Sequence, residues 1–109
     1  VTPLLLPLPE VEPGSITGMA WWVDRFGNAE TNISPEEMAL AGITGEATVT
    51  VRIGSTGYEV PWVTSYGDVE DGDPLLHVDG SGLIALAVRN GSAAELLRLS
   101  EGQSVTLEG

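Results

Sequence analysis

Ala47-Thr48-Val49-Thr50-Val51-Arg52-Ile53 alternates apolar and polar residues, and it is followed by Gly54-Ser55-Thr56-Gly57 and then Tyr58-Glu59-Val60-Pro61-Trp62-Val63. Ala47, Val49, Val51 and Ile53 point one way while Thr48, Thr50 and Arg52 point the other, which is the pattern of a half-buried strand. The glycine-rich tetrapeptide gives a tight reversal, so the two runs form an antiparallel hairpin. Pro61 cannot donate to a ladder and puts the second strand at an edge or a bulge.

Outward from this hairpin, further short β-prone runs cover residues 16–23, 29–33, 75–78, 83–88 and 104–107, and the first strand of the hairpin extends over 46–53. Gly, Asp, Asn or Pro separates them, which makes about seven strands. Two capping boxes, Ser34-Pro35-Glu36-Glu37 and Ser92-Ala93-Ala94-Glu95, each put an N-cap serine before a glutamate at the third helical position and predict two short helices. The fold class is therefore all-β, a small, mostly antiparallel β-barrel of about seven strands with two short helices. Residues 1–13 contain Pro3, Pro7, Pro9 and Pro13, show neither period, and read as an extended linker or docking arm ahead of a barrel over 14–109.

With 109 residues, 42% of them hydrophobic, the chain has the size of one domain. Sixteen acidic residues against four arginines give a formal net charge of −12, which argues against a nucleic-acid partner. We read that charge as solubilising surface background. The absence of cysteine removes disulfides and thiolate metal sites and agrees with a cytoplasmic protein. The apolar start, residues 1–9, lacks a basic leader and is broken by prolines, so it reads as neither a signal peptide nor a membrane span.

The densest chemistry lies in residues 23–33, where Asp24, Phe26, Gly27, Asn28 and Asn32 combine a carboxylate, an aromatic face and two carboxamides around one glycine. On a pleated strand Phe26 and Asn28 share a face and could offer stacking and an amide fork to one planar ring, a purine for example. The same residues are also acceptable turn chemistry between two strands. No catalytic set is evident: the single histidine, His77, sits in an apolar strand and reads as structural. Residues 68–73 resemble an acidic turn more than a calcium loop. Gly80-Ser81-Gly82 could place amides near an anion, and residues 89–92 lie between a strand and a helix start, where free amides accumulate. Trp21-Trp22 and Trp62 read as core and rim aromatics, one of the adjacent pair pointing outward, available to a partner.

Taken together, several segments resemble the S-adenosyl-L-methionine (SAM) hydroxide adenosyltransferases, relatives of the fluorinating and chlorinating enzymes that use the same substrate. They are residues 24–28 with Thr31-Asn32-Ile33, Thr64-Ser65-Tyr66-Gly67-Asp68-Val69, residues 80–88 and residues 91–97, in the family's order and at similar spacing. The resemblance implies that the chain corresponds to the family's C-terminal β-barrel domain, without its larger N-terminal α/β domain. In such enzymes the ligand lies between the N-terminal domain of one subunit and the C-terminal domain of its neighbour, usually in a homotrimer. The water-activating acid and histidine belong to the other domain, so His77 is not given that role.

The resemblance further implies that Phe26 and Tyr66 sandwich adenine, that Asn28 bonds the adenine edge, and that Asp24 holds the methionine ammonium group. Ser81 stands near the amino-acid end, and the Asn90 backbone near a second adenine contact. Two departures stand out. The halogenases carry a Ser-Arg pair where this chain has Gly80-Ser81 or Ser81-Gly82, and they carry an aromatic residue where this chain has Glu30, which argues against halogenation. The implied reaction is displacement at the ribose 5′ carbon by water or hydroxide, giving adenosine and methionine, with no metal or redox cofactor. The competing expectation is a stand-alone, non-catalytic barrel that binds an adenine-containing ligand or a protein partner.

Overall fold

The computed structural model of the chain describes residues 8–45, 48–64, 67 and 69–109. Eight strands and two helices follow one another: β1 (Glu10–Glu12), β2 (Ser15–Val23), β3 (Ala29–Thr31), α1 (Pro35–Leu40), β4 (Thr48–Ile53), β5 (Thr56–Pro61), β6 (Pro74–Val78), β7 (Ile84–Val88), α2 (Ala93–Leu96) and β8 (Gln103–Glu108). The sheet runs β5-β4-β8-β2-β3-β7-β6, with every ladder antiparallel. Its two ends meet through a parallel bridge between Trp62 and Leu76, sealed by the Val63 amide donating to the Leu76 carbonyl at 2.9 Å. The result is a nearly closed barrel, as the strand pattern predicts.

The strand beyond the expected set is β1, at the end of the proline-rich arm, which pairs with residues 15–17 of β2. The β4–β5 hairpin forms as read, but its reversal is shorter: Ile53 already faces Thr56, leaving Gly54-Ser55 as the turn. Val49, Val51 and Ile53 enter the core, as their alternation requires. Pro61 falls on β5, the end of the sheet path, where its missing N–H is tolerated. Both helices start at their serines. The Ser34 hydroxyl accepts from the Glu37 amide while the Glu37 carboxylate accepts from the Ser34 amide, and the Ser92 hydroxyl accepts from the Glu95 amide at 3.2 Å.

One local rule fails at Trp21-Trp22. The β2–β3 register slips between Ala20 and Trp22, a bulge that inserts an extra residue and ends strict alternation. The two rings therefore lie against one another, centroids 6.2 Å apart and tilted by 40°, instead of on opposite faces. Trp22 is half exposed, and Trp62 packs against the core.

Ile16, Ile33, Met38, Val51, Leu76, Leu86, Val105 and Leu107 fill the barrel and are fully buried. A smaller cluster of Val63, Val69, Leu75 and Ala87 lies on the other face of β6 and β7. Leu75 and Ala87 are thus covered from outside, whereas their strand neighbours His77 and Ala85, two residues along on that face, border open space. Leu107 sits on β8, which joins β4 to β2. Leu107→Ala should cost about 2–5 kcal/mol through lost burial and a cavity, read as a lower urea midpoint with an unchanged slope.

Candidate functional site

The bulge sets the register that builds the site. Trp22 faces Glu30, Glu30 faces Ala85, and Ala85 faces His77, so four residues on β2, β3, β7 and β6 form one row on the outer face of the barrel. The small Ala85 leaves room between Glu30 and His77. An open cleft of about 230 Å³ stands over this row, with Asp24 and Asn28 contributing from one loop and Asp79 and Ser81 from another.

These two loops share one design. In residues 24–28, Asp24 donates its amide to the Asn28 carbonyl at 3.0 Å, and its Oδ1 accepts from the Phe26 amide at 2.9 Å and the Asn28 amide at 3.0 Å. In residues 79–83, Asp79 donates to the Leu83 carbonyl at 2.9 Å, and its Oδ1 accepts from Ser81 at 2.9 Å and Leu83 at 3.2 Å. Each places a glycine fourth, Gly27 at φ 84° and Gly82 at φ 82°, where its amide donates to the aspartate carbonyl at 3.0 Å. The purine-site stretch is therefore a five-residue hairpin loop, not the pleated strand on which Phe26 and Asn28 would share a face.

Five of the six expected site residues have a place. Asp24 and Asn28 line the cleft and are joined by an Asn28 Nδ2 to Asp24 Oδ2 bond of 3.2 Å. Ser81 lines its opposite side. Phe26 projects from the loop tip, 64% exposed, with the Arg25 guanidinium 4.9 Å from its ring centroid. Asn90 is exposed in the turn before α2 at φ 56°, its side-chain amide donating to Asp71 at 2.8 Å, and it is not among the residues that line the cleft. Gly27 links this turn to the Asp24 loop, since its carbonyl accepts from the Ala94 amide at 2.9 Å and a Cβ there would stand 1.9 Å from the Ser92 hydroxyl. Tyr66 lies outside the described residues.

Sequence reasoning marked Glu30 only as a departure from the halogenases, and it passed over Asp79 and the cleft-facing position of His77. Glu30 is only 6% exposed. Burial, reinforced by a hydrogen bond to Asp79 and by that residue's negative charge, pushes its carboxyl from 4.5 up to about 7, against opposing contributions from Ser81 and Trp21. The indole Nε1 of Trp21 is buried without a partner of full hydrogen-bond geometry. Alternation hints at Glu30, because a lone acid among Ala29, Thr31 and Ile33 is out of keeping with a core strand. Its neighbours across the sheet are invisible without the register. Among the described residues, no group of three or more acids, histidines or cysteines is placed to hold a metal, and no helix is long and apolar enough to cross a membrane.

A family model described as the SAM hydroxide adenosyltransferase C-terminal domain matches residues 18–106. Over 77% of its length the chain is 38% identical to an (R)-S-adenosyl-L-methionine hydrolase of Thermus thermophilus, of which it covers 29%. It is 35% identical over 89% of its length to an enzyme of the same name from Salinispora tropica, covering 35% of that protein. A fluorinase of an Actinoplanes species is 29% identical over 89% of the chain, which covers 34% of the fluorinase. The chain thus spans about a third of the length of these curated relatives. The crystal structure of an uncharacterized conserved protein from Thermotoga maritima matches 97% of the chain with a TM-score of 0.90 at 30% identity, and the chain covers 40% of it.

The raised carboxyl gives a signed pH dependence. A folded-state value above the unfolded one contributes stability that is full below about 4.5 and lost as pH rises through about 7. Urea midpoints of wild type and Glu30→Gln across this range should converge at the acid end, with the variant gaining relative to wild type towards pH 7.5. The Gly27→Ala variant should unfold at lower urea throughout, because of its positive φ and the collision with Ser92.

Proposed function

The chain belongs to the SAM hydroxide adenosyltransferase family as its C-terminal domain, and from that premise we propose that it supplies the adenine- and methionine-binding half-site of a SAM hydrolase forming adenosine and methionine. The observation that carries this reading is the convergence of Asp24, Asn28 and Ser81 on one outer-face cleft from two separate loops. Phe26 stands exposed at the edge of the same loop, suited to stacking on a base that a second surface covers. The cleft is open and shallow, which fits half of a site whose other wall is an N-terminal α/β domain of a neighbouring subunit in a homotrimer.

In this reading the domain binds and orients. Phe26 and Tyr66 clamp the adenine ring, Asn28 reads its edge with Asp24 fixing the carboxamide through its Nδ2, and the Asn90 backbone adds a second contact. The acidic cleft offsets the positive charge of the amino-acid end. Water then attacks the ribose 5′ carbon as the carbon–sulfur bond breaks, the pair of electrons leaving with the methionine thioether and the proton passing to groups of the other domain. A sulfonium is a good leaving group, so positioning and desolvating the nucleophile supply most of the acceleration. No metal or redox cofactor enters this scheme.

The half-site reading separates two proteins in one assay. Full-length protein should release adenosine from SAM and the 109-residue chain alone should not; adenosine release by the isolated chain would overturn the division of labour. In the full-length protein, Asn28→Ala and Tyr66→Ala should each cost about 1–3 kcal/mol in kcat/KM through an unpaired adenine edge and lost stacking. Unchanged efficiency in both variants would remove the adenine assignment.

A further inference from the structure

We propose that Glu30 is a positioning residue of the cleft: through a proton-dependent contact with Asp79 it holds the β6–β7 loop, and with it the Ser81 wall, in place, whereas the opposite wall, the β2–β3 loop, is held without such a contact. This property belongs to the chain itself and does not depend on which ligand the cleft takes. It follows from a difference between two loops of one backbone design.

In each loop the aspartate Oδ1 accepts two backbone amides, those of Phe26 and Asn28 in one and those of Ser81 and Leu83 in the other. The β2–β3 loop has two further anchors. The Asn28 carboxamide donates to Asp24 Oδ2 at 3.2 Å, and α2 holds Gly27, whose carbonyl accepts from the Ala94 amide at 2.9 Å. Both donors, a carboxamide and a backbone amide, keep their hydrogens at any working pH. The β6–β7 loop is barer: Gly80, Ser81 and Gly82 are exposed, and a Cβ on Gly80 or Gly82 would meet nothing within 4 Å. Among the described residues, its anchor beyond its own backbone bonds is Glu30, which the side chains of both Asp79 and Ser81 reach.

Glu30 is buried and fixed on β3 opposite Ala85. The titratable groups that face it are Asp24 from the β2–β3 loop, His77 from β6 and Asp79 from the β6–β7 loop, and none of the four arginines lines the cleft. With its proton on, Glu30 donates to the Asp79 carboxylate; without it, two carboxylates stand in contact. One of them must then move. Glu30 is held by the ladder, and the Trp21 indole favours its ionised form, so the exposed loop gives way: Asp79 turns to solvent, and the Ser81 and Leu83 amides lose their acceptor. Because the Glu30 carboxyl is pushed, chiefly by burial, from 4.5 up to about 7, the contact contributes fully below about 4.5 and is lost as pH rises through about 7. Loop opening becomes easier across that window and levels off above it.

The test is solvent exchange of backbone amides, read by NMR on the 109-residue chain, whose barrel encloses its own core, in wild type, Glu30→Gln, Glu30→Ala and Asp79→Asn. Corrected for the intrinsic pH dependence of exchange, Ser81 and Leu83 of the wild type should lose about tenfold or more of their protection between about pH 5 and about pH 7.5, while Phe26 and Asn28 change by less than about twofold. In Glu30→Gln a carboxamide donates at every pH, so Ser81 and Leu83 should stay protected throughout, whereas Glu30→Ala should leave them open already at the acid end. Asp79→Asn keeps an oxygen for the loop amides and removes one of the two carboxyl groups; it should be as flat as Glu30→Gln, which keeps the test decisive if a Glu30 variant fails to fold. A wild-type loop indifferent to pH, or a response shared equally by the two loops, overturns the inference. So does a response that survives in folded Glu30→Gln or Asp79→Asn, because it then belongs to another group of the cleft, such as His77.

Discussion

Three residues of β3 make one of the two junctions between the parts of the barrel, the other being the Trp62–Leu76 bridge. β3 is the sole link in the sheet path between β8-β2 on one side and β7-β6 on the other, and only Ala29 and Glu30 form ladder pairs with β7. So short a strand needs help. The Thr31 hydroxyl donates to the Ile84 carbonyl at 2.7 Å, the Ile84 amide donates to the Ile33 carbonyl at 2.8 Å, and the Asn32 carboxamide oxygen accepts from the Met19 amide at 2.9 Å. Glu30, Thr31 and Asn32 are the buried polar residues among those described, and the last two work as side-chain extensions of the ladder. A buried polar network is costly unless satisfied, and here its satisfaction joins β2 to β7.

The same constraint creates the cleft. Because β3 joins the ladder with Glu30 opposite Ala85, the acid lies beside the smallest side chain of its row, and because β2 bulges at Trp21, Trp22 comes level with both. The loops then close around this row by one rule used twice, an aspartate whose carboxylate gathers backbone amides and a glycine at positive φ. Such loops hold their side chains firmly without a large core beneath them.

The acidity of the cleft also makes sense of part of the net charge. Most of the acidic residues are spread over the exposed surface, where they favour solubility. Asp24, Glu30 and Asp79 are different, since they converge on one concavity and one of them is buried. Converging charge in a partly desolvated place acts on a ligand far more strongly than the same charge dispersed in water.

The class of fold and most of the element list were legible in the order of residues alone, because both depend on local periodicity and local hydrogen bonds: alternation over residues 49–53, serine caps at Ser34 and Ser92, and turn residues between strands. The motifs read there also held Asp24, Asn28 and Ser81, three residues that share the cleft. What surrounds them came from the folded chain and from nothing shorter. The pairing of Glu30 with Ala85 and the contact of Glu30 with Asp79 join positions some fifty residues apart, and register is set by bulges and long-range ladders that leave no local pattern. For the same reason the adjacent tryptophans, which a regular strand would send to opposite faces, lie ring against ring. Whether an acid is a solvated surface charge or a buried group that keeps its proton near neutrality is a property of its neighbours in space, and those of Glu30 come from three other strands and two loops.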